Sequence, residues 1–280
     1  MRYATIELPD GTTRLCRLEN DTLQPLRGFT ALDSNASAEA LGLAELDDVP
    51  GVSFNDARFA PVCRPEKILC VGLNYRAHVE EAGRDMPSYP VLFPKFASNL
   101  VGHQQSVQLP PESAQVDYEA ELAVVIGDTA RRVGRDSAMK HVLGYTIAND
   151  ITMRDYQYKT HQWMQGKAWD NSTPLGPILV TPDEIDPANL NVEMRLNGAV
   201  MQSSNTERMI FDIPTLVATV SEFTELNPGD VILTGTPSGV GYRRDPQVFL
   251  SAGDVLEVEI EGLGVLSNDV VAEPLGRLDL

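Results

Sequence analysis

A β-rich α+β fold of mixed sheets is the class this sequence predicts, and three observations carry it. Short apolar runs bounded by Gly, Pro and Asp outnumber stretches of helical composition. The runs do not alternate with helices in the rhythm of a doubly wound parallel sheet. Two of them, in "LNPGDVIL" and "LSAGDVLEV", are entered through a Gly-Asp turn, which reads as a pair of antiparallel hairpin entries.

In chain order, "RYATIELPDGTTRLCRLEN" reads as two strands about a Pro-Asp-Gly turn, and "SAEALGLAELDDV" has helical, acidic composition. Residues 1–64 therefore form a small N-terminal module. The texture changes at "RPEKILCVGLNY", where the larger domain, 65–280, begins. Strands are predicted at Lys67–Leu73, Ala120–Ile126, Leu143–Ala148, Gly176–Val180, Asn191–Leu196, Asp230–Leu233 and Val255–Ile260. Helices are predicted at Arg76–Ala82, Arg154–Lys159 and Pro214–Phe223.

The 280 residues carry a net charge of −18, which argues against nucleic acid or an anionic membrane surface as partner. Cys16, Cys63 and Cys70 share no metal-ligand spacing and suggest no disulfide framework. No segment approaches a membrane span or a signal peptide. A cytoplasmic, reduced protein is the expectation. The acidity is uneven. Residues 115–175 hold seven Lys/Arg against eight Asp/Glu, so a small anion would bind most readily in this near-neutral window.

That window contains "VDYEAELAVVIG". Strand alternation puts Asp117, Glu119 and Glu121 on one face, with the two glutamates roughly 7 Å apart. A solvated strand face explains an isolated E-x-E. A hard divalent cation explains one that leads into an apolar run, because Mg²⁺ takes oxygen ligands and keeps several waters. Asp150, at the end of the apolar strand in "LGYTIANDITMRD", is either a third ligand or a helix cap. In "VGLNYRAHVEEAG", His78 and Glu81 share a helix face, either as an oriented general base or as a surface pair. Lys167 lies between two Trp in "WMQGKAWDNSTPLGP", either supporting developing negative charge or snorkelling. "LTGTPSGVG" is a tight Gly-rich loop whose N–H groups, with Thr236, can hold a carboxylate.

Seven stretches between Gly72 and Gly241, "GLNYRAHVEE", "KFASNLVG", "DYEAEL", "NDITMRD", "GKAWDNSTPLGP", "QSSNT" and "TGTPSGVG", together resemble the motifs of the fumarylacetoacetate hydrolase family, in family order. The resemblance covers the chain from about residue 65 onward and is nearest the compact bacterial acylpyruvate hydrolase-like members. It implies a mixed β-sandwich or β-roll of the family's C-terminal type, assembled as a homodimer. It implies Mg²⁺ (or Mn²⁺, with Ca²⁺ as a substitute) on Glu119, Glu121 and Asp150. His78, Glu81 and Lys167 take the catalytic positions, with His78 and Glu81 on a mobile lid. Arg154, Gln157, Thr236, Tyr75 and Lys95 take the substrate-binding ones. The implied activity is hydrolysis of the C–C bond of a 2,4-dioxo acid through a metal-stabilised enolate, as in aromatic catabolism. Decarboxylation of oxaloacetate, isomerisation and hydration use the same enolate and remain alternatives, as does a metal-binding homologue without turnover.

Overall fold

The computed structural model describes residues 1–274. The first strands are β1 (Arg2–Glu7), β2 (Thr13–Glu19), β3 (Thr22–Pro25), β4 (Val52–Ser53), β5 (Ile68–Gly72) and β6 (Val91–Lys95). Then come β7 (Leu100–Val101), β8 (Val107–Leu109), β9 (Val116–Asp117), β10 (Ala120–Ile126), β11 (Val142–Asn149) and β12 (Thr152–Met153). The last are β13 (Thr173–Val180), β14 (Asn191–Leu196), β15 (Ala199–Asn205), β16 (Val231–Leu233), β17 (Val255–Ile260) and β18 (Gly264–Ala272). The α-helices are short: α1 (Ala38–Gly42), α2 (Arg76–Glu81), α3 (Arg135–Ala138), α4 (Arg154–Gln157), α5 (Met164–Lys167) and α6 (Ile213–Phe223).

The large sheet runs β4-β3-β2-β1-β13-β11-β10-β16-β5-β6, with β7 beside β13. A five-stranded sheet runs β15-β14-β17-β18-β8, and β9 pairs with β12. This is the predicted β-rich mixed architecture. Strand β10, "AELAVVI", is buried along its whole length. Its alternate side chains feed two cores. Leu122, Val124 and Ile126 pack with Met194, Val258 and Leu266 of the second sheet. Ala123 and Val125 pack with Tyr3, Leu15 and Leu179 on the other face. A strand with both faces covered reads as continuous apolar sequence, which is why its alternation is invisible beyond Glu121.

The first hairpin forms as predicted, with β1 and β2 antiparallel. It does not stand apart: β1 pairs with β13, Tyr3 opposite Leu179, so the N-terminal strands prolong the sheet that carries the site. In the acidic stretch only Ala38–Gly42 is helical, capped by the Ser37 side chain accepting from the Ala40 N–H. One expectation needs correction. The Gly-Asp turn at 229–230 does not open a hairpin. Strand β16 lies parallel to β5 and antiparallel to β10 in the middle of the sheet. Its three residues are all buried, so it needs a partner on each side, and neither sequence neighbour supplies one. The second Gly-Asp turn does feed a hairpin, β17–β18.

Among the described residues no helix is long and apolar enough to cross a membrane.

Candidate active site

Pairing of β10 with β11 sets Ala120 opposite Asn149 and Glu121 opposite Ala148. The strand ends therefore meet. The Asp150 N–H donates to the Glu119 carbonyl at 2.8 Å, and the Asn149 side-chain oxygen accepts from the Glu119 N–H at 2.9 Å. Glu119, Glu121 and Asp150 are all buried, and each offers an oxygen within 4.8 Å of the others. The sequence pairing of these acids is thus realised in space.

Asp117 departs from the expected face. The chain leaves the ladder between β9 and β10, and Asp117 turns to accept from the Gly241 N–H (2.8 Å), the Tyr242 N–H (3.0 Å) and the Arg154 guanidinium (2.8 Å). It anchors Arg154 and does not join the acid cluster.

Three cations meet the cluster. Lys167 Nζ lies 2.7 Å from both Glu119 Oε2 and Asp150 Oδ2. Arg154 Nη1 lies 2.8 Å from Glu119 Oε1, and Lys95 Nζ lies 2.8 Å from Asp150 Oδ1. Glu121 has no cation partner among the described residues; Oε2 accepts from the Gly235 N–H at 2.7 Å. The electrostatics follow. Burial raises the Glu119 carboxyl, but Lys167 and Arg154 outweigh it and hold the group down to about 2. Burial pushes Glu121 well above the ordinary carboxylate range, and Asp150 and Glu119 push the same way. A buried acid without a cation, beside two other acids, is a costly arrangement. A divalent cation removes that cost. Three convergent carboxylates suit a hard ion such as Mg²⁺ or Mn²⁺.

Glu119 and Glu121 line a small cleft of about 40 Å³, with His78, Arg154, Gln157 and Lys167 beside them. His78 Nδ1 sits 3.1 Å from Glu81 Oε2, and Glu81 Oε1 accepts from the Gly239 N–H at 2.9 Å. With Glu81 ionised, Nδ1 carries the proton and Nε2 keeps its lone pair, the state a general base needs. One wall is Trp163, whose ring lies where a Cβ on Gly72 would be, 2.3 Å away; only glycine admits it.

Thr236 also lines the cleft, while Tyr75 and Lys95 do not. Lys95 is fully buried behind Asp150, donating to Thr173 Oγ1 at 2.7 Å and to the Ile151 carbonyl at 3.1 Å. It pairs with Asp150 and does not reach the cleft. Tyr75 is buried with an unpartnered hydroxyl and lines a separate cavity beside Arg76 and Pro237.

Gln202, in "QSSNT", braces the site in a way that spacing alone does not reveal. Its side-chain oxygen accepts from the Ala120 N–H (2.9 Å), between the two glutamates. Its nitrogen donates to Thr236 Oγ1 (2.8 Å) and the Pro237 carbonyl (2.9 Å). Because Thr236 Oγ1 accepts there, its own hydrogen is free to donate into the cleft. The only sequence signal was membership of a motif.

Sheet order, acid cluster and dyad together define a member of the fumarylacetoacetate hydrolase family. The model of its C-terminal domain, "Fumarylacetoacetate (FAA) hydrolase C-terminal", matches residues 67–271, and the chain belongs to that family. It is 45% identical over 271 residues to a mitochondrial oxaloacetate tautomerase of Xenopus laevis, covering 95% of this chain and 85% of that protein. Its fold is similar to 5-carboxymethyl-2-hydroxymuconate delta-isomerase from Mycobacterium smegmatis, with TM-score 0.83 and 35% identity over 98% of this chain and 100% of that one. It is also similar to fumarylpyruvate hydrolase from Pseudomonas aeruginosa in complex with Mn²⁺ and pyruvate, with TM-score 0.69 and 33% identity over 75% and 91% of the two chains. These relatives are enzymes of three reaction types, a tautomerase, an isomerase and a hydrolase.

Proposed function

We propose that this chain interconverts the keto and enol forms of an oxaloacetate-type 2-oxo acid, with Mg²⁺ or Mn²⁺ as cofactor. The observation that carries the reading is that His78, paired with Glu81 behind it, lines the same small cleft as Glu119 and Glu121. A divalent ion on Glu119, Glu121 and Asp150 would supply Lewis-acid polarisation of the substrate's 2-oxo group. The chain's own residues do the rest. Arg154, Gln157 and the Thr236 hydroxyl bind the C1 carboxylate and fix the plane of the substrate. His78 Nε2 takes a proton from C3, and Glu81 stabilises the imidazolium. As the C3–H bond breaks, its electron pair moves toward O2, where Lys167 offsets the growing charge. His78 then gives the proton to O2. One C–H bond is exchanged for one O–H bond, with no redox change and no water consumed.

The names of relatives support tautomerisation over the C–C hydrolysis expected from the motifs: curated relatives at 45% and 51% identity are named for it. Acylpyruvate hydrolysis stays as the second reading, because the same dyad can deprotonate water and the cleft opens on an outer chamber of about 420 Å³ able to take an acyl group.

The test loads the protein with Mn²⁺ and follows decay of the enol absorbance of oxaloacetate, with loss of the acetylpyruvate β-diketone absorbance in parallel. Acceleration of the first over the second is expected. Acetylpyruvate cleavage without oxaloacetate tautomerisation would replace this reading by the second. His78→Ala should lower turnover by roughly 10²–10⁴-fold and leave Mn²⁺ affinity, read by calorimetry, unchanged.

A further inference from the structure

The mouth of the cleft runs against the charge of the whole molecule. The protein holds 40 Asp/Glu against 22 Lys/Arg. Yet the outer chamber has no acidic lining residue, and the inner cleft has only Glu119 and Glu121 at its metal end. Besides Arg154, two arginines, Arg84 and Arg243, line the cleft, and Arg84 lines the outer chamber as well. Both are exposed. Neither forms an ion pair with a carboxylate among the described residues.

They come together at the end of α2. Arg243 Nη2 donates to the carbonyl of Ala82, the residue that closes that helix, at 3.1 Å, and Arg84 follows two residues later. The Arg243 guanidinium lies 5.1 Å from the centre of the Tyr242 ring, which steadies it while Nε and Nη1 stay free. A guanidinium without an acidic partner among the described residues, in an acid-rich protein and at the rim of a cleft that Arg154 and Lys167 also line, is placed to take a carboxylate through a charge-assisted hydrogen bond.

We infer that Arg84 and Arg243 form a subsite for a second carboxylate, so that the enzyme selects 2-oxo dicarboxylates over 2-oxo monocarboxylates. The inference rests on the proposed reading of the inner cleft, in which Arg154, Gln157 and Thr236 take the C1 carboxylate. The substrate then spans the cleft from the acid cluster to the end of α2. Its far carboxylate ties the helix that carries His78 and Glu81 to the loop that carries Arg243. Binding of a dicarboxylate thereby holds the base in place, which a monocarboxylate cannot do.

The experiment measures binding and needs no turnover. Two unreactive acids of equal length are titrated into the Mn²⁺-loaded full chain by calorimetry: 2-oxoglutarate, and 2-oxopentanoate, which carries a methyl where the second carboxylate would be. The wild-type protein should prefer 2-oxoglutarate by about tenfold or more, the worth of one charge-assisted hydrogen bond. In the double variant Arg84→Met/Arg243→Met the preference should fall to within about twofold, with 2-oxopentanoate affinity unchanged. Arg243→Lys should keep part of it. Equal wild-type affinity for the two acids, or a preference that survives the double variant, overturns the subsite while the inner-cleft reading stands. An equal loss for both acids in the double variant also overturns it, since the arginines would then be general steering charges. If neither acid binds the wild-type protein, the inner-cleft reading falls and the subsite falls with it.

Discussion

Glu121 separates what the fold tolerates from what the site requires. It is buried, lacks a cation partner among the described residues, and lies beside Glu119 and Asp150. Glu121→Gln should therefore raise the melting temperature of the metal-free protein by a few degrees. It should also weaken Mn²⁺ binding by about 100-fold or more. Thermal scans and calorimetry on one preparation read both, and a lower metal-free melting temperature would contradict the account. His103 gives a prediction in pH. Burial lowers its imidazole to about 4, and Nδ1 accepts from the Ser267 N–H at 3.1 Å. The unfolded chain takes up this proton near pH 6.5 and the folded one only near 4. Stability from this group is full above 6.5 and is lost as pH falls through that window. His103→Asn, whose oxygen can stand in for Nδ1, should flatten the fall in melting temperature between pH 6.5 and 4.5. At this scale the sequence was legible where spacing maps directly onto geometry, as for Glu119 with Glu121 and His78 with Glu81. It was not legible for Asp117 or Lys95. Their partners, Gly241 and Asp150, lie far along the chain, and their roles come from tertiary packing.

The Gly-rich loop after β16 does more than line the cleft. Its N–H groups hold Glu121 through Gly235, Glu81 through Gly239 and Asp117 through Gly241. One glutamate of the acid cluster, the dyad and the Arg154 anchor thus hang on one short piece of backbone. Gly239 has φ +104°, and a Cβ there would lie 2.3 Å from the Met201 carbonyl oxygen. Gly239→Ala, with a backbone cost of about 1–3 kcal/mol, should lower Mn²⁺ affinity and turnover together, whereas Ser238→Ala should change neither much. Loss of turnover alone would mean that the loop serves only the dyad. Some long elements were readable in advance, since β10, β14 and β17 have the predicted ends; β15 and β18, equally long or longer, were not predicted. Two- and three-residue strands such as β7, β9 and β12 are too short to show a period. Strand β16 was found, but its partners were not, because a central strand's neighbours are not written in its own residues.

Across the whole molecule the large sheet is continuous from β4 to β6, and the N-terminal strands enter it through β1 against β13. Tyr3, Leu15 and Leu26 share a core with Cys70, Phe93 and Leu179. Charge and composition told which partners to doubt, but nothing in the first residues announces that β13 is where they attach. The outcome expected in differential scanning calorimetry is a single transition whose van't Hoff and calorimetric enthalpies agree; two resolved peaks would mean that residues 1–64 melt on their own. The joint between β1 and β13 has a further consequence. A chain cut at residue 65 would leave β13 with a bare row of backbone donors and acceptors and an uncovered apolar face. Such a rim invites the same rim on another copy. The N-terminal strands therefore act as a guard against self-association, and the shortened chain should appear as aggregate in light scattering even when every group of the cleft is present.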